Sequence, residues 1–323
     1  MARYVVLGAG AVGGTIGGRL HQAGHDVTLI ARGTHGEAIR RAGLLLRDPT
    51  ADALLRIPCV PSPADLAWRP DDVVVLATKT HQAGPALDDL ARAVPPSITV
   101  VCATNGLEAE RLALRRVASV VAMVVMLPTT HMKPGEVIAW STPTTGLLDV
   151  GRYPTGTDPQ VAAIAADLAS STFLSDPVPD AVRRKRRKLL MNLANVLEAA
   201  CGPASRSSDL ADRARDEALA AFAAAGDPVA TVEEDAERRG SHLQMRPVGG
   251  ERHQGGSTWQ SLARGHDLEG DYLNGEIVLL GRLHGVPTPV NAMLQRLGLD
   301  LAQHATPAGS MSIDDVEARL AAG

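Results

Sequence analysis

Apolar positions in the first half of the chain come as short unbroken runs rather than in alternation with polar ones. Residues 4–7, 25–31, 72–77, 98–103 and 117–126 are rich in Val, Leu and Ile, and each is too short for a helix core. A strand that is apolar on successive residues is buried on both faces, as in a parallel sheet between two helical layers. The intervening segments fit helices, such as 82–94, which Pro95-Pro96 ends. This alternation predicts a doubly wound α/β domain. Short strands separated by Pro and Gly over 136–150 predict an antiparallel extension of the sheet, followed by a loop at 151–158 and a helix at 159–170. From Asp180 the period changes to that of Ala- and Leu-rich helices, at 209–225, 231–239, 257–264, 269–284 and 291–304. The pattern predicts an all-α C-terminal domain, with a boundary near 177–179 that divides the chain into 1–178 and 179–323.

Size and composition fit that division. A chain of 323 residues is long for one core and ordinary for two domains. A formal charge of −4 carries no bias towards nucleic acid. Cys59, Cys102 and Cys201 are odd in number and widely spaced, so they suggest neither a disulfide framework nor a metal knuckle. The absence of a signal-type apolar region or a bilayer-length run gives the expectation of a cytoplasmic protein without a membrane partner. His131, His242, His253 and His266 have no mutual metal-ligand spacing, so no metal is expected.

The first strand runs into Gly8-Ala9-Gly10-Ala11-Val12-Gly13 and then into a helix-compatible segment. Gly-x-Gly-x-x-Gly in that context predicts a Rossmann-type dinucleotide site. Gly8 allows the turn off the strand, Gly10 lets backbone approach a pyrophosphate, and Gly13 lets the helix pack on the sheet. Gly10, Ala11, Val12 and Gly13 would place backbone N–H groups at the phosphates. The second strand ends at Arg32, where an NAD site usually has Asp or Glu. A guanidinium there favours the 2′-phosphate of NADP(H), although a solvated loop arginine would look the same.

Two further patterns carry candidate chemistry. Arg183-Arg184-Lys185-Arg186-Arg187-Lys188 is the densest charge run, and a solvated helix face is its ordinary meaning. Lys188, Asn192 and Asn195 then recur at i, i+4 and i+7 among leucines, so one helix would carry them on one face, towards solvent or a cleft.

Taken in order, these segments resemble the ketopantoate reductase family over nearly the whole chain. Thr78-Lys79 and Asn105-Gly106, after two of the strand-like runs, resemble its cofactor and active-site loops, and Lys188-x-x-x-Asn192 resembles its catalytic helix. Residues 265–275, with Glu269 and Leu273-Asn274-Gly275, and Gly285-Val286-Pro287-Thr288-Pro289-Val290-Asn291 resemble its two C-terminal signatures. Ser257 stands where the family keeps a substrate-contacting serine.

The resemblance implies NADP(H)-dependent reduction of a small-molecule 2-oxo acid, with 2-dehydropantoate (ketopantoate) as substrate in pantothenate and coenzyme A synthesis. Lys188 would stabilise and protonate the nascent alkoxide, Asn192 would orient the substrate oxygen, and Asn105 would act at the nicotinamide. Lys79 would hold a phosphate or carboxylate, Ser257 the substrate carboxylate and Glu269 a hydroxyl, with Asn195 near the substrate. As a helix N-terminal acid, Glu269 could equally serve the helix dipole. The sequence departs from the family at Val196, where a second asparagine is usual, at Leu268 and Gly270 in place of Thr and Ile, and at Ser261 in place of an acid. Those departures keep open a relative with another 2-oxo acid, and a cofactor-binding sensor without catalysis is a third reading. A homodimer is compatible with the sequence, which identifies no protein partner.

Overall fold

In the computed structural model, which describes residues 2–322, the unbroken apolar runs become the strands of one sheet. Tyr4–Leu7 pairs in parallel with Val27–Ile30 on one side and Val73–Leu76 on the other, and Thr99–Cys102 and Ser119–Met123 continue the sheet. Cys59–Val60 forms one edge, and Val150–Arg152 closes the other in antiparallel pairing. Successive residues go to different cores: Tyr4 and Val6 pack on one face, and Val5 and Leu7 on the other. Burial on both faces is the reason these runs do not alternate.

The chain winds outward in two directions from Tyr4–Leu7, first to Val27–Ile30 and Cys59–Val60, then to Val73–Leu76 and beyond. The switch point therefore lies between the carboxyl ends of Tyr4–Leu7 and Val73–Leu76, where open α/β sheets bind ligands.

The expected extension over 136–150 takes a different form. Glu136–Ala139 joins a separate four-stranded sheet with Leu44–Arg47, Asp52–Leu55 and Thr129–Thr130, and Val150–Arg152 alone continues the main one. The strand Leu44–Arg47, between Glu136–Ala139 and Asp52–Leu55, buries alternate residues, which is the pattern of a sheet covered on one face.

Two compact units result, residues 1–185 with 233–253, and residues 186–232 with 254–323. The division falls inside the helix Ala181–Asn192. Segment 233–253 belongs to the first unit because Leu243–Met245 pairs antiparallel with Ser141–Pro143, and because Arg238 bonds the fully buried Asp149 carboxylate at 2.6 Å. The second unit is helical, as the period predicts. Asp209–Ala225 starts at Ser208, whose side chain accepts from the Ala211 amide, and stops at Gly226 in the left-handed conformation.

Candidate functional site

In the first unit the glycine loop turns off its strand with Gly8 at φ +101°. A Cβ placed on Gly8 would stand 3.0 Å from the Thr78 amide nitrogen, which puts this loop and the Thr78-Lys79 segment against each other at the switch point. Gly13 is packed hardest, since a Cβ there would lie 2.0 Å from the Gly8 carbonyl oxygen and 2.9 Å from Val6. At Gly10 a Cβ would meet nothing within 4 Å. Gly10 caps the helix Ala11–Gln22, whose first turn carries no acidic residue and receives no side-chain capping bond. The helix geometry leaves the amides of Ala11, Val12 and Gly13 without intrahelical acceptors, which makes this end an anion cradle.

His35 braces that loop. Gly135 N–H donates to its Nδ1 at 2.9 Å, so Nε2 carries the proton and donates to Ala9 O at 2.7 Å. His131 lies against His35 with ring centroids 4.0 Å apart and Nδ1 3.0 Å from Glu136 O, a structural role.

Lys79, half-buried, caps the helix Thr80–Ala93, and Thr80 Oγ1 donates to Asn105 O at 3.2 Å. Thr78 and Asn105 thus share the carboxyl edge of the sheet. Thr78 Oγ1 and Thr104 Oγ1 are buried there without a hydrogen-bond partner among the described residues. Buried hydroxyls are usually bonded, so two orphans at the carboxyl edge of the sheet fit a polar ligand such as a dinucleotide. Arg32 caps the next helix, Gly33–Ala42, and is exposed. The sequence shows no carboxylate beside it, but the fold brings Asp89, which ion-pairs with both Arg32 and Arg92.

In the second unit, half-buried Lys188 and buried Asn192 stand four apart on one face of Ala181–Asn192. The extension of that stripe to Asn195 is corrected: the helix ends at Asn192, and Asn195 opens a separate helix, Asn195–Cys201. The break frees backbone carbonyls, and side chains take them up. Arg206 Nη2 donates to Met191 O at 2.8 Å and Asn274 Nδ2 to Leu193 O at 3.0 Å. Asn274 also donates to Asn291 Oδ1 at 3.0 Å, and Asn291 Nδ2 donates to Ala214 O and Glu217. The asparagines of both C-terminal signatures, each fully buried, therefore hold the end of the Lys188 helix. Asn195 is 5% exposed, and its Oδ1 accepts from Arg206 at 2.8 Å.

Glu198 joins this network by pairing with Arg206 at 2.8 Å and accepting from Gly256 N–H at 3.0 Å. That bond fixes the start of the helix Ser257–Ala263, and with it Ser257. Glu269 is 4% exposed and stands at the cap of Gly270–His284 without a side-chain bond to the helix end. Two departures from the family pattern prove to be neighbours. Val196 Cγ2 would lie 3.5 Å from a Cβ at Gly270 and 3.4 Å from one at Gly298, so the valine fills room that the missing side chains leave.

Sequence reading missed Glu198, Arg206 and Glu217. The one local signal was Glu198 itself, a lone acid within Val196-Leu197-Glu198-Ala199-Ala200. The basic run also differs from a solvated face: Arg183 pairs with Glu234, Arg184 with Asp149, Lys185 with Glu110 and Arg186 with Asp227, while Arg187 donates to Ala230 O. Among the described residues no group of three His, Cys, Asp or Glu side chains could hold a metal, and no helix is long and apolar enough to cross a membrane.

Residues 4–154 match the family described as ketopantoate reductase PanE/ApbA, and residues 180–299 match its C-terminal domain. A 2-dehydropantoate 2-reductase from Mesorhizobium japonicum is 29% identical, with 92% of this chain and 98% of the relative covered. Its namesake from Mycobacterium tuberculosis is 28% identical over 90% of this chain and 94% of its own. Among solved structures, a PanE/ApbA family ketopantoate reductase from Ralstonia eutropha JMP134 superposes with a TM-score of 0.79 at 27% identity, covering 94% of this chain and 99% of that one. D-mandelate dehydrogenase, solved with NADH and anilino(oxo)acetate, shares the fold at a TM-score of 0.78 and 22% identity, covering 94% and 99%. With both stretches matched and the glycine loop, the Lys188 helix and the two asparagine signatures in place, the chain belongs to the ketopantoate reductase family of oxidoreductases.

Proposed function

We propose that the protein reduces 2-dehydropantoate (ketopantoate) to pantoate with NADPH, in the cytoplasm, as a step towards pantothenate and coenzyme A. The observation that carries this reading is Lys188 four residues before Asn192 on one face of a helix, which is the proton donor and oxygen-binding pair that carbonyl reduction needs. A sensor that binds the cofactor without turnover has no use for such a pair. Relatives at 25–29% identity that bear the name 2-dehydropantoate 2-reductase support the choice of substrate.

The dihydronicotinamide, when bound, supplies the hydride. Lys188 stabilises negative charge as it develops on the substrate oxygen and gives that oxygen its proton, an interaction stronger in the transition state than before it. Asn192 donates a hydrogen bond to the same oxygen and fixes its direction. Ser257 binds the substrate carboxylate, and Glu269 accepts from a substrate hydroxyl. In the first unit the amides of Gly10 to Gly13 would hold the pyrophosphate, Lys79 would hold a phosphate or the substrate carboxylate, Asn105 would act at the nicotinamide, and Arg32 would meet the 2′-phosphate.

A second reading, another 2-oxo acid, is favoured by Leu268, an 8% exposed apolar residue beside Glu269 where the family has threonine. NADPH oxidation with ketopantoate, run beside branched and aromatic 2-oxo acids, decides between them. In Lys188→Ala, kcat should fall by about 10²–10⁴-fold while NADPH still binds by fluorescence titration. Full turnover in that variant would remove Lys188 from the mechanism. NADPH binding with no turnover of any oxo acid would favour the sensor.

A further inference from the structure

Lys185 stands apart in the basic run. It is 4% exposed, its Nζ lies 2.5 Å from Glu110 Oε1, and it donates to Thr104 O at 3.0 Å. Glu110 is 1% exposed and belongs to the helix Glu108–Leu114, which begins just after Asn105-Gly106. Burying both charges is costly, and an apolar pair of similar volume would serve packing as well or better. The contacts instead converge on one short stretch of backbone. Thr104 O accepts from Lys185, and the next carbonyl, Asn105 O, accepts from Thr80 Oγ1. Two successive peptide planes are thereby fixed at the strand end, and Gly106 at φ +74° turns the chain into the helix that returns Glu110 to Lys185. Thr104 Oγ1, on the same residue, is buried with no partner among the described residues.

We propose that Lys185 and Glu110 form a buried clamp that sets the direction of the Thr104-Asn105 loop, which makes Lys185 a positioning residue for Asn105. The part about catalysis rests on the role given to Asn105 above; the clamp itself does not. In Lys185→Met alone, Glu110 is left as a buried charge and the protein is destabilised. Lys185→Met/Glu110→Met removes both charges and restores the melting temperature, yet the Thr104 carbonyl still lacks its donor.

The test is amide hydrogen exchange over 104–108 in the cofactor-free protein, with NADPH titration alongside. The double variant should exchange there about ten-fold faster or more than wild type and bind NADPH about ten-fold more weakly, as loss of a charge-assisted hydrogen bond implies. Lys185→Arg should keep both near wild type. Lys185→Leu/Glu110→Gln, which removes the lysine donor without leaving an unpaired buried charge, gives the same exchange readout where the methionine variants fail to fold. Wild-type exchange at 104–108 in the double methionine variant, or in Lys185→Leu/Glu110→Gln if that alone folds, overturns the clamp. Wild-type protein that binds no NADPH overturns the proposed function instead, and the exchange result still decides the clamp.

Discussion

At the glycine loop a Cβ on Gly13 would come within 2.0 Å of a backbone oxygen, while at the end of the Lys188 helix Asn274, Asn291 and Arg206 fill the space and bond to backbone carbonyls. The first region is shaped by side chains that are absent. The second is shaped by polar side chains that donate to backbone carbonyls. Both solve one problem, the unpaired groups at a helix terminus. The N-terminus proposed to receive a ligand keeps its amides open, and the C-terminus after the proposed proton donor Lys188 has carbonyls taken up by side chains.

The difference gives each region its own mode of failure. The largest effect is expected at Gly13. Gly13→Ala drives a methyl group into backbone and should cost more than about 4 kcal/mol, read as loss of soluble protein or a collapsed melting temperature. Gly10→Ala, with open space around it, should melt as wild type and lose NADPH affinity instead. A normal melting temperature in Gly13→Ala would break the comparison. Next comes Asn274→Ala, which strips the donor from Leu193 O and should cost about 1–3 kcal/mol in chemical denaturation. Asn274→Asp, lacking an N–H to give, should do no better, and a neutral result would mean that the break is held elsewhere. The smallest effect concerns Asp89, shared by Arg32 and Arg92. Asp89→Asn frees both guanidiniums for a 2′-phosphate, so NADPH should bind a few-fold tighter relative to NADH, in keeping with about 0–1 kcal/mol for exposed pairs. An unchanged ratio of the two dissociation constants would remove Asp89 from cofactor choice.

The same contrast governs what the sequence discloses. The glycine loop and its strand are local, so a dozen consecutive residues announce both the fold and the ligand class. The strands are readable because burial on both faces leaves unbroken apolar runs. The helix break after Asn192 is not readable in that way. Its stabilising partners, Asn274 for Leu193 and Glu217 for Asn291, lie 81 and 74 residues away in the chain. Without them Lys188, Asn192 and Asn195 look like one stripe. The basic run looked solvated for the same reason, since Lys185 meets Thr104 across 81 residues. Arg32 looked free of carboxylates because Asp89 is 57 residues distant. The family motifs partly fill this gap: Asn274 and Asn291 were visible as signature residues, although nothing local says that they hold a helix end.

The return of 233–253 to the first unit has a consequence for synthesis on the ribosome. Ser141–Pro143 gains its strand partner only when Leu243–Met245 emerges, about 100 residues later. At roughly 5–20 residues per second that is about 5–20 s, during which one strand edge stays unpaired and Asp149 waits for Arg238. The nascent chain therefore carries an exposed edge and an incompletely neutralised carboxylate while the first stretch of the helical unit, 186–232, is already being made. A cellular holdase that shields strand edges would have its longest opportunity in that interval.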